Sequence, residues 1–430
     1  MMEEKKFFIR GLGHQRTLRG EVFISGAKNA VLKIMAASLL FEDDLHIENI
    51  PKVEDVERMK ELLIDLGAEI RQTGERSIKI NTAGVKKTEL HTEISQKMRA
   101  SIVLSGAMLG RFGQVHFPHP GGCVIGERPI SMFLNAYRGM GTEIERDEEG
   151  IYHLKAPEGL KAKATFLNKQ SVGVTETLIM ASILAKGRSV IKNAALEPEV
   201  VDVAGFLQKC GAKISGLGTT TITIEGGKPL KSGGKVYKVM PDRLEAGSFL
   251  VLGALASNDL LIKNCQPEHL EALTSILRFS GLRMEAGKDY IKVLNNEGAE
   301  FKPLEIKTHE YPGFPTDLQA PMAVFMTQVK GESSIFETIF ENRFGYTEDL
   351  NKMGARIRLW HPQKISIEGP SRLKGGTLHG PDLRAGLAFI IAAILAQGDS
   401  VIENAYYVDR GYEAIEKKLQ KIGVSIERAK

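Results

Sequence analysis

Apolar residues along this chain follow a pattern that recurs six times. Val53, Val56, Met59, Leu62, Leu63 and Leu66 step by three or four residues, the spacing that lines one face of an amphipathic helix. Val200, Val203, Phe206, Leu207 and Cys210 step the same way. Each such run predicts a helix that stops at a glycine, because glycine enters the left-handed conformation that closes a helix without a Cβ clash. The tag glycine, two residues, then Ile or Met occurs at Gly67, Gly141, Gly211, Gly281, Gly354 and Gly423, with successive spacings of 74, 70, 70, 73 and 69. About sixty residues of each interval look alike, so six units fill the chain.

Upstream of the amphipathic run, each unit carries a stretch rich in small residues, such as Asn29 to Leu40 or Val174 to Leu184. These are long and apolar enough to be buried helices. A brief strand follows and ends in an Asn tag at Ile47-Glu48-Asn49, Ile191-Lys192-Asn193, Ile262-Lys263-Asn264 and Ile402-Glu403-Asn404, with Phe336-Glu337-Thr338 as a variant. The second unit has Val115-His116-Phe117-Pro118 instead. After the glycine, alternating runs such as Thr219 to Glu225 predict hairpin strands. Each unit therefore reads β-α-β-α-β-β, an α/β fold. Six units predict two domains of three with a ligand cleft between them. The Gly- and Lys-rich stretch from Gly226 to Lys235 marks a loop near the middle.

Composition narrows the function classes. The 430 residues leave room for two or three domains of ~100–200 residues. Hydrophobic residues at 43% and charged residues at 26% are those of an ordinary globular chain, which argues against disordered and coiled-coil readings. The longest apolar run, around Ala385 to Ala396, is shorter than the ~20 residues of a membrane span. Met1 to Lys6 followed by Phe7-Phe8-Ile9 lacks the apolar core of a secretory signal. Cys123, Cys210 and Cys265 cannot build a disulfide framework. Together these predict a cytoplasmic protein with reduced thiols and no membrane insertion. A formal charge of +4 is too small for nucleic-acid binding by bulk electrostatics, so anion recognition must be local.

Local departures from the repeat point to where chemistry sits, since packing alone does not demand them. Pro120-Gly121-Gly122-Cys123-Val124-Ile125-Gly126-Glu127-Arg128-Pro129 places a cysteine in a glycine-rich loop with an arginine five residues on. Neighbouring cations lower a thiol's pKa and make it reactive. Cys210 and Cys265 read instead as core filling. Lys28, Arg99 and Arg384 stand at the predicted starts of small-residue helices, where free N–H groups and the helix dipole favour anions. Arg343 and Arg410 join them. Such cations on equivalent edges of repeated units suit one small, highly charged anion, and arginine offers a fork matched to carboxylate and phosphate. Asp242, Asp317, Asp382 and Asp409 are open to two roles, a general base or, more simply, a helix cap. The ten histidines form no HExxH or similar grouping, and Gly11-Leu12-Gly13 lacks the third glycine of a dinucleotide loop.

Taken together, Ser25-Gly26-Ala27-Lys28-Asn29-Ala30, Met98-Arg99-Ala100-Ser101, Gly121-Gly122-Cys123, Lys169 with Ser171-Val172-Gly173, Phe314-Pro315-Thr316-Asp317, Glu341-Asn342-Arg343-Phe344, Asp382-Leu383-Arg384-Ala385 and Asp409-Arg410-Gly411-Tyr412-Glu413 resemble the UDP-N-acetylglucosamine 1-carboxyvinyltransferase family of the EPSP synthase-like superfamily. The likeness runs from about Gly11 to Arg428. It implies an inside-out α/β barrel, with residues 28–240 as a first domain of three βαβαββ repeats and residues 1–27 plus 241–430 as a second. The active site would lie in the cleft between these domains.

The implied activity is transfer of the enolpyruvyl group of phosphoenolpyruvate to the 3′-hydroxyl of UDP-N-acetylglucosamine, with loss of phosphate, as the first committed step of peptidoglycan synthesis. No cofactor or metal is implied. By the resemblance, Cys123 is the general acid at the methylene carbon, able also to form a covalent adduct with phosphoenolpyruvate, its loop is the target of fosfomycin, and Asp317 takes the hydroxyl proton. Lys28, Asn29, Arg128, Arg343, Arg384 and Arg410 hold phosphoenolpyruvate, with Lys28 and Arg410 also counted as catalytic. Arg99, Arg128, Pro129, Ile130, Ser131, Met132, Lys169, Gln170, Ser171, Val172, Asp317 and Ile339 line the UDP-sugar site.

The chain departs from the family pattern at Lys33, where proline is usual, and at Ser131 and Phe133, where Asp and His are usual. Gly345-Tyr346 and Tyr407 each stand where the family has a histidine. The related transferase acting on shikimate 3-phosphate has no Gly-Gly-Cys loop and carries a Gly-Asn-Ala-Gly-Thr segment missing here. An RNA-terminal-phosphate cyclase would need a nucleotidylated histidine motif, also missing. A non-catalytic UDP-sugar-binding paralogue is the alternative from another class.

Overall fold

A computed structural model describes the chain except for residues 1–4, 14, 16, 122–127, 297, 380–384 and 430. The described residues form two compact units. One is built from residues between Gly26 and Met240, the other from the N-terminal residues through Ser25 together with Pro241 onward. Each contains three open sheets, one per sequence repeat.

The third repeat shows the unit in full. Strand Arg188–Lys192 runs parallel to Ala164–Phe166 and antiparallel to Thr221–Glu225, which pairs in turn with Lys213–Ser215. The fifth repeat copies this order with Glu305–Lys307, Gly331–Phe336, Lys364–Gly369 and Arg356–His361. Three other repeats borrow a strand from a distant part of the chain. Val236–Lys238 completes the first sheet beside Leu45–Glu48, Leu18–Phe23 completes the fourth beside Ser257–Lys263, and Lys6–Arg10 enters the sixth between Asp399–Glu403 and Ile426–Ala429. This borrowing is why the chain passes between units at Ser25/Gly26 and Met240/Pro241. The second repeat differs from the expected β-α-β-α-β-β: Gln114–Phe117, Tyr152–Lys155 and Glu143–Arg146 form a three-stranded sheet. Its first strand is reduced to a bridge between Glu89 and His116.

Both sequence tags have a backbone cause. All six tag glycines have positive φ, from +90° at Gly141 to +115° at Gly281, a conformation that costs other L-residues energy. Asn49, Asn193, Asn264 and Asn404 are also left-handed, with φ of 55–57°, which Asn tolerates better than most. The side chains of Asn49, Asn193 and Asn264 donate to the carbonyls of Val239, Leu167 and Ile24 at 2.7–2.8 Å, tying each strand end to its parallel neighbour. In the fifth repeat Thr338 makes the equivalent tie, donating from Oγ1 to the Thr308 carbonyl at 2.6 Å.

The small-residue stretches are buried helices at the centre of each unit. Lys28–Ala37, Leu104–Phe112 and Val172–Leu184 serve one unit, and Arg243–Ala256, Gln319–Met326 and Ala385–Leu395 serve the other. The latter three pack on one another. The amphipathic run behaves as expected: in helix Glu54–Asp65, Val56, Met59, Leu62 and Leu63 are fully buried. Cys210 and Cys265 are buried in the two cores, and burial pushes the Cys265 thiol up to about 12, which makes it inert as a nucleophile. Among the described residues, no helix is long and apolar enough to cross a membrane.

Candidate active site

In the unit spanning Gly26 to Met240, four candidate segments come from the starts of helices, one of them 3-10. Lys28 is the first residue of its helix and is only 7% exposed. Burying an ammonium is costly unless a counter-charge meets it. Asp55, at the start of the amphipathic helix, supplies one, with Lys28 Nζ 3.2 Å from Asp55 Oδ2. Asn29 follows Lys28 and is half-buried.

Arg99 opens a short 3-10 segment, Arg99–Val103, on which the Lys28 helix packs. Its guanidinium donates to the backbone carbonyls of Pro120, Arg128 and Pro129. It thus grips the chain on both sides of residues 122–127, a structural task the sequence did not reveal. Burial first, and the charge of Arg128 second, push Arg99 down to about 10, so an anion arriving here would relieve two cations at once. Gly121 explains part of its own motif: a Cβ there would lie 1.4 Å from the Gln96 carbonyl oxygen, so only glycine passes at this point. Cys123, the proposed acid, and Arg384, with Asp382, lie outside the described residues.

Ser131 is exposed at the start of helix Ser131–Gly139, after exposed Pro129 and buried Ile130, with Met132 half-buried behind it. Phe133 is buried and reaches Gly173, where a Cβ would sit 3.4 Å from its ring. The residue standing in the family's histidine position is thus a packing residue against the next candidate segment. In that segment Lys169 is exposed, and Gln170 donates to the Ala194 carbonyl at 3.2 Å. Ser171 caps helix Val172–Leu184 by accepting from Val174 N at 3.4 Å.

Lys33, the other departure, is buried and forms an ion pair at 2.7 Å with Glu176, one turn into that helix. Its Nζ also donates to the Asn29 carbonyl at 3.3 Å. Each partner therefore sits four residues behind a candidate binding residue, Asn29 or Val172. Burial raises the Glu176 carboxyl from 4.5 to about 7; Lys33 opposes the rise, while Glu199 and Glu197 add to it. Because the folded value lies above the unfolded one, the folded state holds the extra proton between about pH 4.5 and 7. This contribution to stability is full below that window and is lost as pH rises through it. Thermal melts from pH 5 to 8 should therefore show a fall for the native chain that is smaller in Glu176→Gln. Equal slopes would remove Glu176 from the account.

In the other unit, Thr316-Asp317-Leu318 forms a 3-10 turn leading into helix Gln319–Met326. Arg343 is 4% exposed and reaches back across 26 residues. Its Nη2 donates to Asp317 Oδ1 at 2.5 Å and its Nη1 to Thr316 Oγ1 at 2.7 Å. The Phe340 ring lies 5.3 Å from the guanidinium carbon, within cation–π range. Tyr346, in a further departure from the family pattern, donates to Gln319 Oε1 at 2.7 Å, and Gln319 Nε2 donates to the Arg343 carbonyl at 3.3 Å. That departure therefore supports Arg343 from behind.

Asp317 does not cap a helix, contrary to the simpler of its two expected roles. Asp409 does not either: it accepts two bonds of 2.7 Å from Arg428. Asp242 does cap, accepting from Leu244 N and Glu245 N at 2.8 and 3.1 Å. Arg410 is buried just after the short helix Ala405–Asp409, at its C-terminal end. Ile339 is half-buried beside Phe340. The structure thus brings Asp317 and Arg343 into contact, and gathers Arg99 with the backbone of Arg128 and Pro129. Asp55 and Glu176 carry no sequence signal of their role, and Thr316 and Glu337 fall inside the Asp317 motif and the strand-end tag without a role assigned to either. Among the described residues no group of three or more His, Cys, Asp or Glu side chains could hold a metal ion.

The family described as EPSP synthase (3-phosphoshikimate 1-carboxyvinyltransferase) matches residues 13–419. Proteins named UDP-N-acetylglucosamine 1-carboxyvinyltransferase are similar throughout. The Finegoldia magna protein is 41% identical over 411 residues, covering 96% of each chain, and that of Salmonella paratyphi B is 41% identical over 425 residues, covering 99% of each. Among solved structures, the enolpyruvyl transferase NikO from Streptomyces tendae matches with a TM-score of 0.88 at 22% identity over 99% of both chains. EPSP synthase from Acinetobacter baumannii matches with a TM-score of 0.75 at 18% identity, covering 99% of this chain and 100% of its own. These two likenesses establish the fold. The six-fold repeat, the helix-centred units and full-length identity at this level place the chain in the EPSP synthase family and, within it, among the UDP-N-acetylglucosamine 1-carboxyvinyltransferases.

Proposed function

We propose that this protein transfers the enolpyruvyl group of phosphoenolpyruvate to the 3′-hydroxyl of UDP-N-acetylglucosamine, releasing phosphate. The observation that carries the reading is 41% identity over nearly the whole chain to proteins named for that reaction. The chemistry runs in two stages. Asp317 takes the proton of the sugar hydroxyl as its oxygen bonds to C2 of phosphoenolpyruvate, and Cys123 gives a proton to C3, forming a tetrahedral adduct. Loss of a proton from C3 and of phosphate from C2 then restores the double bond in the product. Lys28, Asn29, Arg128, Arg343, Arg384 and Arg410 would hold phosphoenolpyruvate, and preorganised cations stabilise charge on the departing phosphate. Arg99, the segment from Arg128 to Met132, Lys169 to Val172 and Ile339 would contact the UDP-sugar.

In this reading residues 28–240 act as the domain bearing Cys123, and residues 1–27 with 241–430 as its companion. The protein would work in the cytoplasm at the entry to peptidoglycan synthesis, serving cell shape and division, with the loop bearing Cys123 as the target of fosfomycin. The test is phosphate release from phosphoenolpyruvate, run in parallel with UDP-N-acetylglucosamine and with shikimate 3-phosphate. Release with the UDP-sugar alone, lost in Cys123→Ala, is the expected result. Release with shikimate 3-phosphate, or with neither acceptor, would overturn the assignment.

A further inference from the structure

Glu337 stands at the strand-end tag, where the other repeats place Glu48, Lys192, Lys263 and Glu403. Those four are exposed or half-exposed, and Lys263 and Glu403 pair with surface partners Glu21 and Lys6. Glu337 alone is turned inward and is 0% exposed. A buried carboxylate is tolerated only where donors replace its water. Among the described residues its oxygens meet hydrogen-bond donors. Oε1 accepts from the backbone N–H groups of Ile339 and Phe340 at 2.8 and 3.2 Å, and Oε2 accepts from Thr316 Oγ1 at 2.8 Å.

The second of these bonds sets a direction. Because Thr316 spends its only proton on Glu337, its oxygen is left as an acceptor, and Arg343 Nη1 donates to it at 2.7 Å. The same guanidinium holds Asp317 through Nη2. One carboxylate therefore has two arms. One arm orients Thr316, Arg343 and Asp317; the other fixes the backbone of Ile339 and Phe340. Phe340 also lies against the Arg343 guanidinium.

We propose that Glu337 is a positioning residue of the transfer reaction, acting through Thr316 on the Arg343–Asp317 pair and through the backbone at Ile339 on the UDP-sugar. The inference rests on the functional reading above. The two arms can be cut separately. Thr316→Val severs only the Arg343 arm. Glu337→Gln keeps an oxygen for the two N–H groups but presents an NH2 to Thr316, which reverses the polarity of that bond. Both variants should lose kcat, by roughly 10–100-fold, the order expected when reacting groups are misplaced by about 1 Å, with KM for UDP-N-acetylglucosamine within about threefold of native. Glu337→Ala cuts both arms and should also raise that KM, by about tenfold.

The measurement is steady-state phosphate release with both substrates varied, alongside thermal melts. If Glu337→Gln and Thr316→Val keep kcat within twofold of the native enzyme while their melting temperatures fall, Glu337 is a structural residue only and the proposal fails. Should Glu337→Ala not fold, the other two variants still decide. A native protein that is inactive with UDP-N-acetylglucosamine would overturn the functional reading first, and the proposal with it.

Discussion

Replacing Asp317 by asparagine should reduce kcat by ~10²–10⁴-fold, the range attributed to a positioned acid or base. KM for each substrate should move by only a few-fold. Asparagine keeps the shape and an oxygen that can accept from Arg343, so the 2.5 Å contact survives in weaker, neutral form. What it lacks is a site that can take the hydroxyl proton. The stability cost should be modest, roughly 1–3 kcal/mol, typical of hydrogen bonds to charged groups. Asp317 is one-quarter exposed, and Arg343, though buried, retains Thr316. Steady-state phosphate release and a thermal melt on the same preparation separate the two effects. A variant retaining more than a tenth of native kcat would remove Asp317 from the role of base.

Lys28→Met should damage both folding and binding, through different partners. The methionine matches the aliphatic stem but leaves the Asp55 carboxylate, 4% exposed, without the ammonium now 3.2 Å away. Breaking a buried ion pair by removing one member costs ~3–5 kcal/mol, equivalent to a fall in melting temperature of about 6–20 °C for a unit of this size. Independently, under the proposed function, in which Lys28 holds phosphoenolpyruvate, loss of this desolvated cation should lower kcat/KM for phosphoenolpyruvate by ~30–5,000-fold, corresponding to 2–5 kcal/mol. The double variant Lys28→Met/Asp55→Asn tells these apart. It should recover much of the melting temperature, because no buried charge is left over, and none of the phosphoenolpyruvate affinity. Recovery of both would mean that Lys28 serves the fold alone.

These two residues are legible in the sequence to a degree that their partners are not. Lys28 and Asp317 were visible because each sits in a short motif that the repeat does not require. Their partners were not. Asp55 is simply an acidic residue in the first turn of an amphipathic helix, where the dipole favours one anyway. Glu337 occupies a tag position that is polar in every repeat, and nothing in its neighbours announces that this copy faces inward. Lys33 could be recognised as unusual, but its partner Glu176 lies 143 positions away and was not singled out. The capping expectation failed for Asp317 and Asp409 because of where each falls: Asp317 lies inside the 3-10 turn Thr316–Leu318 and Asp409 is the last residue of helix Ala405–Asp409, away from free N–H groups, and each meets a more distant arginine, Arg343 or Arg428.

The repeat, the alternation of buried and amphipathic helices, and the points where the backbone turns left-handed all follow from the order of residues. Helical spacing, strand alternation and the φ demands of glycine and asparagine are local properties of a few residues. Which strands complete which sheets, and which charges meet, depends on how the folded units pack. Lys6–Arg10, Leu18–Phe23 and Val236–Lys238 join sheets whose other strands lie elsewhere in the chain. A strand's pattern of exposure shows that one face is covered without naming its neighbour. Ion pairs behave alike: burial makes a charge seek a partner, but the choice is set by whichever helix ends the packed core brings within about 3 Å.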